Sequence, residues 1–190
     1  VGYMDATGVY RPTLFRQLYE HGGVYCIDEI DNASPQLLAA LNSALANGHG
    51  AFPDGMVARH QDFVVVATGN TPGTGASAMF PDRRALDCAT RDRFVSIAWG
   101  QDEALEQRIA VAINVVHGKA IAEWIARLRA HCAASHPRLV VSPRATYYIA
   151  RLAMDSAWTV ADMVESTVFK GLDAGSVAAI LRSVPLPVFA

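Results

Sequence analysis

Two adjacent carboxylates, Asp28 and Glu29, close the apolar run Val24-Tyr25-Cys26-Ile27. Ionised side chains at the end of a buried strand are costly unless their charge is used. A second apolar run, Phe63 to Ala67, leads into Thr68-Gly69-Asn70. In open parallel sheets, ligands bind outside the carboxyl ends of the strands. Two neighbouring strands would therefore deliver an acid pair and an amide to one place, which suits activation of a water beside a metal-bound phosphate better than it suits packing. Two arginines add to this set. Arg93 lies in Arg91-Asp92-Arg93, and Arg144 follows Ser142 and Pro143. Ser is a good N-cap and Pro fits the first helical position, so Arg144 falls in a helix's first turn. A cation there is disfavoured by a few tenths of a kcal/mol. A docked phosphate would remove the conflict.

Positioning these residues requires a parallel sheet. The two runs, together with a third from Phe94 to Ala98, are continuously apolar, as strands covered by helices on both faces must be. A helix is predicted between the first two, with Ser34 as cap, Pro35 at its start and Asn47-Gly48 at its end. Gly50 to Val57 reads as a hairpin turning at Asp54-Gly55, and Pro12 to His21 reads as a helix stopped by Gly22-Gly23. From Asp102 onward, helical patterns cover 103–116, 118–134, 143–156 and 160–183, the last broken near Gly171. The expected architecture is an α/β part over residues 1–100, then an all-helical part over 101–190.

Composition narrows the function classes. With 190 residues, 52% of them hydrophobic and 18% charged, the chain can bury a substantial core. A net charge of -2 gives no global basic field for holding nucleic acid. The three cysteines form no CxxC pair and the six histidines no metal motif, so a reducing compartment is the default. No apolar stretch approaches the ~20 residues that span a bilayer. No secretory leader is visible, and the first residue is Val1, which hints at a piece of something longer.

Taken together, these segments resemble a known family. Gly22 to Asp31 resembles the Walker B motif of AAA+ ATPases, and Thr68-Gly69-Asn70 resembles sensor 1. Arg91-Asp92-Arg93-Phe94 is similar to the arginine-finger segment of the MoxR and cobalt-chelatase ATPase-subunit branch, related to the dynein-type AAA domains. Ser142-Pro143-Arg144-Ala145 resembles that branch's sensor 2, and the lead-in Gly2 to Gly8 looks like its phage and bacterial members. The resemblance implies a P-loop NTPase core with a helical lid, and ATP and Mg²⁺ as cofactors. Asp28 would hold Mg²⁺ through water, Glu29 would polarise the attacking water, and Asn70 would orient it. Arg93 would reach a neighbouring subunit's site, with Arg91 as a second finger, and Arg144 would touch the nucleotide. Arg83 and Arg84 read as solvated surface. By analogy with related motors, Phe52 and Met56 on the hairpin are candidates for substrate contact in a central pore.

The family's phosphate loop, G-x-x-x-x-G-K-S/T, does not occur, and the only lysines are Lys119 and Lys170. The expectation is a truncated module, inactive by itself. Its parent would be a cytoplasmic, homo-oligomeric ring (a hexamer) that remodels a protein or a metal-insertion partner. The rival readings are a DNA-directed phage or bacterial motor and a non-hydrolysing ring-assembly module.

Overall fold

The computed structural model describes residues 2–188. They divide into two compact units, Val1–Ile97 and Ala98–Ala190.

The first unit opens with a short antiparallel hairpin, β1 (Gly2–Met4) against β2 (Tyr10–Pro12), which the sequence pattern did not announce. Asp5 ties its loop together. One carboxylate oxygen accepts from the Thr7 amide and hydroxyl and the Val9 amide, and the other accepts from Arg11 Nε at 2.8 Å. Helix α1 (Leu14–His21) follows and stops at Gly22, whose φ of 88° suits glycine. Strand β3 (Gly23–Ile27) pairs in parallel with β6 (Phe63–Ala67), from Gly23 opposite Phe63 to Ile27 opposite Ala67. Between them lie α2 (Pro35–Ala46), begun by the Ser34 hydroxyl accepting from Leu37 N at 3.3 Å, and the hairpin β4 (His49–Phe52) and β5 (Gly55–Ala58). A short helix α3 (Cys88–Asp92), capped by Asp87, comes after a long connection.

The core of this unit is aromatic. Phe15, Tyr19, Phe52 and Phe63 are buried and meet in tilted and edge-on pairs with centroids 5.2–6.2 Å apart. The Tyr19 hydroxyl donates to the Ala44 carbonyl at 2.9 Å, so the buried phenol keeps a partner. Phe52 is thus a core residue covered by the Arg16 guanidinium at 4.9 Å, which removes it as a substrate contact. Met56 stands exposed on the same hairpin.

Three sequence expectations need correction here. The run Phe94 to Ala98 forms no strand: it enters no strand ladder among the described residues, the Phe94 amide donates to the Arg91 carbonyl at 3.2 Å, and Val95 and Ile97 are 91% and 76% exposed. Apolar composition favours a strand but cannot supply the second edge that a ladder requires. Nor are β3 and β6 buried on both faces. Tyr25, Ile27, Val65 and Ala67 turn toward the core, while Val24, Cys26, Val64 and Val66 are exposed on the other face. The hairpin turns at Pro53-Asp54 rather than Asp54-Gly55, with Phe52 opposite Gly55. Proline fits the second position of such a turn and glycine its fourth, which outweighs the Asp-Gly signal.

The second unit is helical: α4 (Glu103–Ile113), α5 (Gly118–Ser135), α6 (Pro143–Leu152), α7 (Val160–Val164) running into a π-helical turn (Glu165–Phe169), and α8 (Ala174–Ser183). Gly171, at φ 84°, marks the break before α8. Trp124, Ile121, Ile125, Leu128, Ile149 and Phe169 are fully buried at its centre. The α4–α5 turn is tight enough that a Cβ on Gly118 would lie 2.2 Å from the Ala110 carbonyl oxygen. A partly buried ion pair links α4 to α5, with Arg129 Nη2 donating to both Glu106 oxygens at 2.8 and 3.0 Å.

Candidate functional site

At the carboxyl ends of β3 and β6 the chain makes two sharp departures, and Thr68 links them. Its amide donates to the Ile27 carbonyl at 2.9 Å, and its own carbonyl accepts from Ile30 N at 2.8 Å. The Thr68 hydroxyl donates to Asp28 Oδ1 and accepts from Glu29 N at 3.1 Å. One side chain therefore fixes both carboxylate-bearing residues relative to the neighbouring strand. Glu29 adopts the left-handed conformation (φ 53°, ψ 51°), alone among the described non-glycine residues. Such a backbone costs on the order of 1–2 kcal/mol for a side chain with a Cβ. Strained positions of this kind concentrate where a side chain must be aimed, and this one sends Glu29 toward Asn70.

Asn70 Nδ2 donates to Glu29 Oε1 at 3.3 Å. The amide is held in place by Asp31, a residue to which the sequence reading gave no role. Asp31 is 1% exposed, and its Oδ2 accepts from Asn70 N at 3.1 Å, Thr71 N at 3.0 Å and Thr71 Oγ1 at 2.9 Å. Asp28, Glu29 and Asn70 thus do come together at one edge.

Arg83, read from sequence as surface, is the other residue that sequence reasoning missed. Its Nη1 donates to Glu29 Oε2 at 3.1 Å and its Nη2 to Oε1 at 3.0 Å, a two-pronged ion pair. Its side chain is only 14% exposed, and its Nε lies 3.9 Å from Asp31 Oδ2. The Arg83 guanidinium, by hydrogen bond and by charge, holds the Glu29 carboxyl below the usual carboxylate range, with Asn70 adding to the same effect. Glu29 in turn raises the Arg83 pKa.

Arg93 is placed differently from its sequence expectation. It does not precede a strand but sits at the end of α3, exposed, with its guanidinium donating to the Ala89 carbonyl of its own helix. Arg144 belongs to the second unit, in the first turn of α6. Ser142 stands at the N-cap but makes no side-chain cap bond. Arg144 lines an open cleft of about 740 Å³ with Tyr147, Tyr148, Arg151 and Lys170.

The donor set can be tested against a magnesium ion and a nucleotide. Mg²⁺ is typically bound by one or two carboxylates, with phosphates and waters completing its shell. Asp28 fits that role: it is exposed at the strand end, and among the described residues only its Oδ1 is hydrogen-bonded. No group of three or more His, Cys, Asp or Glu able to enclose a metal occurs among the described residues. A metal here would depend on phosphate and water for its remaining ligands. Asp28 thus fits one carboxylate ligand of such an ion, while the amide-and-lysine cradle for phosphates has no counterpart in the sequence.

A parallel strand pair here ends in an acid pair that is opposed by an amide. In agreement, residues 3–94 match the family model of the AAA domain, dynein-related subfamily. The match supports an AAA+ ATPase module in this stretch. No curated protein matches the chain. No helix of the described residues is long and apolar enough to cross a membrane.

Proposed function

We propose that the chain is the water-activating and metal-holding part of a Mg-ATP-dependent AAA+ motor of the MoxR and cobalt-chelatase branch. The observation that carries this reading is the convergence of Asp28, Glu29 and Asn70 at the carboxyl edge of the β3–β6 pair, with Glu29 and Asn70 in hydrogen-bond contact. Asp28 is the residue for Mg²⁺, which when bound would neutralise charge on the phosphate oxygens. Glu29 accepts a proton from the attacking water, and Asn70 fixes the direction of that water. Arg93, exposed at the end of α3, is the residue for a neighbour's site in a homo-oligomeric ring, a hexamer. Arg144, in the first turn of α6, is the residue for a nucleotide phosphate. The work of the ring is the remodelling of a protein or metal-insertion partner in the cytoplasm. Activity requires a phosphate-binding loop outside this sequence; the 190 residues alone bind Mg-ATP no better than millimolar.

The test is Glu29→Gln in a longer form of the protein that carries such a loop. Hydrolysis falls by about 10²-fold or more while ATP binding persists, as for loss of a positioned base. Asp28→Ala weakens the Mg²⁺-dependent binding itself. Wild-type turnover in Glu29→Gln would leave the carboxylate a structural residue and sink the reading.

A further inference from the structure

The open cleft of about 740 Å³ in the helical unit offers more than the single role given to Arg144 requires. Helix α6 turns Ala145, Thr146, Ile149 and Ala150 into the core. Its other face carries Arg144, Tyr147, Tyr148 and Arg151, spaced i, i+3, i+4 and i+7, so all four share one exposed stripe. The π-helical turn adds Ser166 to the lining, and Lys170 follows directly after it. Turns of this kind occur frequently at functional sites.

Charge is the first pointer to a ligand. The lining holds three cations and no carboxylate, and Arg144, Arg151 and Lys170 make no salt bridge among the described residues. Elsewhere in this chain, whose net charge is -2, Arg16, Arg83 and Arg129 each find a carboxylate. Like charges that line one cleft repel one another until an anion enters. The rings are the second pointer. Tyr147 and Tyr148 meet edge-on with centroids 5.4 Å apart. The Arg151 guanidinium lies 5.7 Å from the centre of the Tyr147 ring and donates to its hydroxyl at 3.0 Å. Tyr147 is thereby braced, while Tyr148 remains 52% exposed beside it.

We propose that this cleft is a binding site for single-stranded nucleic acid. Arg144, Arg151 and Lys170 take phosphates, Tyr148 stacks on a base, and the Ser166 hydroxyl donates to phosphate or sugar. An acidic peptide would satisfy the cations but leave the exposed ring without a stacking partner. A duplex keeps its bases stacked on each other and offers the ring none. The site shares only Arg144 with the proposed function and does not depend on the chemistry at Glu29.

The test uses the 190-residue chain and a fluorescent oligothymidylate of about 12 nucleotides, a length one binding module can cover. Anisotropy is expected to show saturable binding at low salt. Each phosphate contact on a single strand contributes about 0.7 to the fall of log K with log salt, so three contribute about 2. A fourfold rise in salt then weakens binding about 18-fold. Lys170→Gln lowers that slope by about 0.7. Tyr148→Ala weakens binding about 5- to 150-fold at an unchanged slope, and Tyr148→Phe, which keeps the ring, binds as wild type. Should Tyr148→Ala unfold, Lys170→Gln carries the test. Absence of saturable binding overturns the proposal, as does binding that the folded variants leave unchanged. Three competitors can also overturn it. A duplex of equal length that binds as tightly would show that no base is stacked. An oligoglutamate that displaces the strand equally well would make the cleft a site for acidic protein segments. Thymidine monophosphate that does so would reduce it to a mononucleotide site.

Discussion

Replacing Asp31 tests whether the site is held together from below. Its carboxylate is 1% exposed and accepts three hydrogen bonds, from the amides of Asn70 and Thr71 and from the Thr71 hydroxyl. Hydrogen bonds to a charged group are each worth about 1.5–3 kcal/mol, so three would sum to roughly 4.5–9 kcal/mol. That sum is an upper bound, because burying the carboxylate itself costs several kcal/mol. Removing one partner of a buried charged set typically destabilises by about 3–5 kcal/mol, since the remaining groups stay buried and unpaired. Asp31→Ala is expected in that range. Asp31→Asn keeps the shape and an acceptor oxygen but loses the charge, and about 1–2 kcal/mol is expected.

The assay must read the correct unit. All three tryptophans, Trp99, Trp124 and Trp158, lie in the second unit, so their fluorescence does not report on Asp31. Amide hydrogen exchange followed by NMR does. In Asp31→Ala the amides of Asn70 and Thr71 lose protection, and the β3–β6 ladder amides lose it by the global amount. Glu29 also loses its Asn70 contact, which a side-chain amide resonance would record. Ladder protection within about half a kcal/mol of wild type, the range of an ordinary surface substitution, would refute the argument that Asp31 supports the site.

Other expectations follow from single contacts. Hydrogen bonds from Thr7, Val9 and Arg11 lower the Asp5 pKa to about 2. A depressed folded-state pKa adds stability above the unfolded value, and this is lost as pH falls through the folded one. The β1–β2 hairpin should therefore loosen between about pH 4 and pH 2, seen as a shared titration of the Thr7 and Val9 amides that disappears in Asp5→Ala. For the ring, Arg93→Ala in a loop-bearing form should nearly abolish hydrolysis, a finger in trans being worth about 10³–10⁵ in rate. Mixing it with Glu29→Gln protein should restore activity if subunits exchange. Failure of rescue despite confirmed exchange would remove the role in trans.

What the sequence disclosed was local. Asp28, Glu29 and Asn70 could be placed because each follows an apolar run, and a strand's end fixes where the next residues emerge. Ser34 announced its helix because a cap acts on amides two or three residues away. The Phe94 to Ala98 run misled because strand formation depends on a partner that no local pattern encodes. The one-sided burial of β3 and β6 was hidden for a similar reason: continuous apolar residues show what a strand tolerates, not which layers cover it.

The two arginines that flank α3 show the same division at the site itself. Arg93 carried a family-like signal and was assigned a role toward a neighbouring subunit; within its own chain its guanidinium donates to the Ala89 carbonyl. Arg83 carried no signal, because its partner Glu29 is distant in sequence and its own segment, Phe80-Pro81-Asp82-Arg83-Arg84, has no periodicity to read. The nearest hint was Asp31: a third acid beside Asp28 and Glu29 requires a buried cation or several donors, and the chain supplies both. The Asn70–Thr71 turn provides the donors, and Arg83 provides the cation. With that charge balance in place, one cation serves two carboxylates. Glu29 is the more exposed of the two, 47% at its side chain, and Asp31 is the buried one.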